Sequence, residues 1–162
     1  MGHRANFVLI RGGEAAAYYD QWAALGSTYA FAGGPADATA AAEQAEPTKE
    51  LLDWAFAEAG FLLDFDEQVA IVFGQPEPID PDEFGKFGAE GVAPVSEVDA
   101  ALERGPLEFL KCIAPRWAGW QLIWNERGVD AFAAHLARRG IGSISTQSRK
   151  HPEDCVIEAF QA

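Results

Sequence analysis

Apolar and polar residues alternate along this chain in short bursts of two kinds. Near the start, the apolar run Phe7-Val8-Leu9-Ile10 meets Gly12-Gly13 and returns through Ala15 to Tyr19. Paired glycines supply the positive φ of a two-residue hairpin turn, so Asn6 to Asp20 is predicted as a hairpin. Phe61 to Phe65 and Gln68 to Phe73 repeat the pattern about Asp66-Glu67, which predicts a second hairpin. Other stretches carry helical spacing. Pro35 suits the first turn of an alanine-rich helix running to about Ala45. Pro47 then breaks that helix, and Thr48 caps another that places Leu51, Leu52, Ala55, Phe56 and Ala59 on one face, with Gly60 as its stop. Gly128 to Arg139 puts Val129, Phe132, Ala133 and Leu136 inward and Arg138-Arg139 at the negative helix end.

Between these signals lie weaker ones. The Gly/Ser/Thr stretch after Trp22 reads as a loop. Ser96 opens a helix interrupted near Gly105-Pro106 and resumed from Leu107 to Ile113. Gly119 to Trp124 reads as a strand, and Ile141 to Thr146 is expected to pair with Cys155 to Phe160 as a third hairpin. Hairpins alternating with helices predict an α+β domain spanning 1–162, its mostly antiparallel sheet built from hairpins and covered by amphipathic helices. The two clear hairpins begin 54 residues apart, Phe7-Val8-Leu9-Ile10 against Phe61-Leu62-Leu63-Asp64, which hints at a duplicated unit. One segment fits no element. From about 75 to 95, four prolines and three glycines exclude a helix or central strand, so a long loop is expected there, and loops of that length in compact domains commonly bind something.

Composition narrows the class. The chain has 162 residues, 49% apolar and 23% charged, which is ordinary for a globular domain. Its opening MGHRANFVLI lacks a signal peptide's apolar stretch and cleavage site, so the cytoplasm is the expected location. The charge balance is more informative: 12 basic against 25 acidic residues give −13. Residues 61–110 carry only Lys86 and Arg104 against twelve carboxylates, a balance of −10, whereas the last 52 residues stand at +2. An acidic chain is a poor ligand for nucleic acid or an anionic membrane, and a concentrated acidic stretch steers basic partners.

Known chemistries are mostly excluded by spacing. No phosphate-binding Gly-Lys-Ser/Thr string and no Gly-x-Ser-x-Gly elbow occurs. Gly140-Ile141-Gly142 follows a helix and has Ser145 where a dinucleotide fingerprint needs its third glycine. Asp80-Pro81-Asp82-Glu83-Phe84-Gly85 starts like a calcium loop, but Phe84 takes the fifth ligand position and Gly91 the twelfth. His151 and Cys155 offer two ligands where structural zinc needs four, so neither a metal nor another cofactor is expected. Cys112 reads as a small core residue, and a nucleophilic Cys–His pair with His135 is the alternative for it. Asp64 and Asp66, as alternating strand residues, would share a face suited to paired-carboxylate chemistry or magnesium.

Trp117, Trp120 and Trp124 are dense in tryptophan. Core packing is one reading, and a pocket or platform for a ligand is the other. Two functions follow from the whole. The first is a small acidic binding or inhibitory domain, immunity-like in size and charge alone, that engages a basic protein through Glu77, Asp80, Asp82, Glu83 and Glu90. The alternative is a carboxylate-based or divalent-metal-dependent enzyme, or an accessory subunit.

Overall fold

A computed structural model describes residues 3–51, 58–75, 95–146 and 154–162. A seven-stranded sheet forms its centre, in the order β3 (Glu46–Thr48), β2 (Glu14–Asp20), β1 (Ala5–Arg11), β5 (Ala59–Asp64), β6 (Val69–Phe73), β7 (Gln121–Asn125) and β9 (Ile157–Gln161). β1 (Ala5–Arg11) and β2 (Glu14–Asp20) form the first expected hairpin around Gly12-Gly13, both at positive φ. β5 (Ala59–Asp64) and β6 (Val69–Phe73) form the second. The sheet is mixed rather than mostly antiparallel, because β1 pairs with β5, and β6 with β7 (Gln121–Asn125), in parallel. Such pairs need crossover connections, and the helices supply them.

Period-two alternation divides the central strands between two cores. Phe7, Leu9, Phe61, Leu63, Val72 and Leu122 face one side, while Val8, Ile10, Leu62, Ile71 and Phe73 face the other. The first face is covered by α1 (Ala24–Ala32), α2 (Pro35–Glu43), α3 (Val95–Arg104) and α4 (Pro106–Ile113), then a short 3-10 helix, Ala114–Trp117. The second is covered by α5 (Val129–Arg138), whose Val129, Phe132 and Leu136 point inward as expected. Pro35 and Pro106 each take the first helical turn, where a missing N–H costs nothing. No helix among the described residues is long and apolar enough to cross a membrane.

Three expectations are corrected. The Gly26-Ser27-Thr28 stretch lies inside α1, not in a loop. α1 is buried along nearly its whole length, so it shows no amphipathic period; Asp20 accepts hydrogen bonds from the N–H groups of Trp22 and Ala23 just before it, and Thr28 Oγ1 donates to Gly74 O at 2.8 Å. The helix expected from Thr48 to Gly60 does not exist at either end. Glu46–Thr48 is β3 against β2, Glu50–Leu51 is β4, and Ala59 and Gly60 begin β5 opposite Ala5 and Asn6. Strand pairing overrides the local helical pattern there, and 52–57 lie outside the described residues. Finally, the tail forms no hairpin. Ser145–Thr146 is β8 and pairs in parallel with β4, while β9 (Ile157–Gln161) pairs with β7 and brings Phe160 beside Leu122. The expected loop over 75–95 falls almost wholly outside the described residues.

The 54-residue spacing has a simple outcome: β1 and β5 lie side by side in register, Phe7 opposite Phe61 and Ile10 opposite Asp64. β2 and β6 then extend to opposite sides. Equivalent side chains share a face while the second strands diverge, a mirror relation that no rotation produces, so the hairpins do not superpose as copies. Where the two strands meet at Gly60, an added Cβ would lie 2.0 Å from the Asn6 carbonyl oxygen. Gly60→Ala is therefore expected to destabilise the fold by about 3 kcal/mol, as overpacking does. Gly12→Ala meets no atom within 4 Å, and is expected to cost about 1 kcal/mol for its left-handed φ. Urea unfolding of both variants checks this, and equal costs would refute the close-approach argument.

Candidate functional site

Charged side chains converge where the two hairpin tips meet the C-terminal end of α5. Asp64 is the last residue of β5, on the face that α5 covers, and it is fully buried. Its Oδ1 accepts hydrogen bonds from the N–H groups of Asp66 and Glu67 at 3.0 and 3.1 Å, which folds the turn. Its Oδ2 faces α5, accepting from His135 Nε2 at 2.8 Å and from Arg139 Nη1. His135 is itself buried, and its Nδ1 lies 3.4 Å from Arg138 Nη2. Arg138 holds Glu67 through two contacts of 3.1 and 2.6 Å.

Asp66 extends the network to the first hairpin. Its two oxygens accept from the N–H groups of Gly12 and Gly13 at 2.7 and 2.8 Å, and Arg139 Nη2 donates to it at 3.0 Å. Beside them Arg11 lies over the Phe65 ring, 4.4 Å from its centre, and Phe65 N–H donates to Ile10 O. One arginine thus holds the second hairpin's turn from the helix end, and Asp66 ties that turn to the first hairpin's. The sequence places Arg138-Arg139 there for the helix dipole; their carboxylate partners lie more than seventy residues away.

The electrostatics follow from these contacts. Burial pushes the Asp64 carboxyl up, but hydrogen bonds from Arg139, His135 and the Glu67 backbone more than offset it and hold the group below its ordinary value. Asp66 is lowered by the N–H groups of Gly13 and Gly12 and by Arg139, and Glu67 by Arg138. Arg139 is held firmly protonated by Asp64 and Asp66. Asp64, Glu67 and His135 also present ligand atoms within 4.8 Å of one another, a spacing that could hold a metal ion. Two guanidinium groups already compensate those carboxylates, so a divalent cation would enter against like charge.

Asp64 and Asp66 both reach Arg139, though not as alternating strand residues, because Asp64 ends β5 and Asp66 lies in the turn that follows. The Cys112–His135 pair does not form: Cys112 packs against the core on the opposite sheet face, its Sγ 4.0 Å from Glu97 O. Trp117, Trp120 and Trp124 are buried and take the packing reading, not the pocket. The 3-10 helix turns Trp117 under α1, where its Nε1 donates to Phe31 O at 2.9 Å; the Trp117 and Trp120 rings meet edge-on at 5.2 Å, and Trp124 meets Phe109. Glu77, Asp80, Asp82, Glu83, Glu90 and His151 lie outside the described residues. An open cavity of about 400 Å³ lies between β2 and the segment before β8, and the described residues that line it, among them Ala15, Ala17, Tyr18, Lys49 and Ile144, include no carboxylate, histidine or cysteine. No protein-family model, curated protein or solved structure matches the chain.

The His135–Asp64 contact is what sequence reasoning missed. Its signal was a polar residue at an apolar position on each side: Asp64 where the register partner is Ile10, and His135 beside the inward stripe of α5. Removing one member of a buried ion pair strands the other, so Asp64→Ala is expected to cost about 3–5 kcal/mol. Glu67→Gln, in the exposed pair, is expected to leave the unfolding midpoint nearly unchanged. The acid dependence has a definite sign. Asp64, Asp66 and Glu67 sit below their unfolded values, so the unfolded chain binds more protons as pH falls, and the stability they contribute near neutrality is lost through about pH 5 to 2. Urea midpoints across that range should fall steeply for the natural protein and less steeply for Asp64→Asn; parallel curves would remove Asp64 from the account.

Proposed function

We propose that this protein is a small acidic binding domain, inhibitory or neutralising in kind, that engages a basic protein partner. The observation that carries the reading is how the convergent site uses its chemistry. Asp64, Asp66, Glu67 and His135 bond to one another and to Arg138 and Arg139, so the groups that could perform acid–base work hold the hairpins and α5 together instead. The acidic excess then stands as the chain's dominant functional property. It centres on residues 61–110, and the Pro/Gly-rich stretch with Glu77, Asp80, Asp82, Glu83 and Glu90 supplies five of the carboxylates there. Glu97 and Glu103 on α3, both exposed, carry the acidic character into the following helix. A concentrated field of one sign accelerates encounter with a surface of the other and fixes its orientation.

The test compares the natural protein with the variant Asp80→Asn, Asp82→Asn, Glu83→Gln as baits for basic proteins from cell extract, at low and high salt. A basic partner held at low salt, released at high salt and bound at least about tenfold more weakly by the variant is the expected result, because salt screens attraction between opposite charges. Equal capture by both proteins, unchanged by salt, would overturn the electrostatic reading. Turnover of a small substrate that depends on His135 would instead establish the enzyme.

A further inference from the structure

β2 runs the full length of the first hairpin, but its outer neighbour β3 covers only part of it. β3 answers Ala17, Tyr18 and Tyr19 and stops at Thr48, while β2 continues along β1 to Glu14. Arg11 and Glu14 flank a two-residue turn and so exchange backbone hydrogen bonds, which directs the backbone groups of Ala15, Ala17 and Tyr19 away from β1. Ala17 and Tyr19 meet β3, whereas Ala15 leaves its N–H and C=O without a strand partner among the described residues. At the same point the chain leaves the large sheet. Lys49 stands between β3 and β4, and its carbonyl accepts the Ser145 N–H at 2.9 Å, so its backbone is pinned beside the gap that opens along β2.

That gap is the open cavity of about 400 Å³, within the size range usual for small-molecule sites. Its lining combines two chemistries. Ala15, Ala17 and Ile144 belong to the margin of the second core, and Ala15 and Ile144 are only partly buried, so an apolar body laid there completes their burial. Lys49 and Ser143, both exposed, bring an ammonium and a hydroxyl to the same cavity. No ion pair engages Lys49 among the described residues, in contrast with Arg11, Lys111, Arg138 and Arg139. We propose that this cavity binds a small monocarboxylate with a branched aliphatic or aromatic body. The acid group takes the Lys49 ammonium, with the Ser143 hydroxyl and the Ala15 N–H as further donors, and the body covers Ala15, Ala17 and Ile144. One cation matches one negative charge, which selects a carboxylate over its neutral amide, and the apolar lining selects a body larger than that of acetate. Glu14, Glu46 and Glu50 lie near in the chain without lining the cavity, and with the net charge of −13 they keep the affinity for an anion modest.

The probes are 3-methylbutanoate and phenylacetate, titrated at constant pH and ionic strength and read by NMR shifts of backbone amides and side-chain methyls. Both acids should shift Ala15, Ala17, Lys49 and Ile144 saturably at about millimolar concentration. Acetate, and the amides of the two acids, should bind at least about threefold more weakly. Lys49→Met keeps the length of the side chain and removes its charge; at this exposed position it should leave melting unchanged and weaken both acids by about threefold or more. Shifts that do not saturate, amides or acetate bound as well as the two acids, or acids bound as well by Lys49→Met would each overturn the proposal. The cavity shares no residue with the acidic stretch, so its failure would leave the capture of a basic partner untouched.

Discussion

A carboxylate without solvent must be answered by partners, and Asp64 sets that requirement at the centre of this fold. Its position at the end of β5 places a negative charge under α5, where water cannot neutralise it. His135 and Arg139 do so instead, and because Arg139 also holds Asp66, the answer extends to the Gly12-Gly13 turn. Helix end and both hairpin tips are therefore fixed by one set of hydrogen bonds. Apolar packing would hold α5 on the sheet in any of several nearby positions; a buried ionic contact accepts one.

Much of this architecture was legible locally. Both hairpins followed from apolar runs around short polar turns, and α2, α4 and α5 from proline position, spacing and terminal charge. What escaped had its cause far along the chain. α1 is buried on nearly all sides and so carries no amphipathic signature. The stretch after Pro47 has good helical spacing, yet Thr48, Leu51 and Ala59 all answer to strands elsewhere. Ile141 to Thr146 and Cys155 to Phe160 had suitable strand content and lacked only the information that β7 was waiting for a neighbour.

The candidate site divided in the same way. The spacing of Asp64 and Asp66 made a shared face conceivable, but Asp66 lies in the turn after β5, so strand alternation is not what brings the two together. That an arginine and a histidine from α5 would meet them was not readable, because partners seventy residues apart leave no mark on either segment alone. The tryptophans show the converse. Their density drew attention, but density alone does not distinguish a binding surface from a core, and burial under α1 and α4 assigned them to the core.

The parallel pairing of β1 with β5 has a consequence for how the chain must reach this state. Each hairpin closes over a turn of a few residues, but Phe7 and Phe61 can meet only after the chain between them has been drawn into a loop. The entropy of closing such a loop is lost before the contact yields anything, and it grows with the logarithm of the length enclosed. The middle of the sheet, its most buried part, is thus the part that local structure cannot begin. The topology thus places a long-range pairing where the native molecule is most tightly packed.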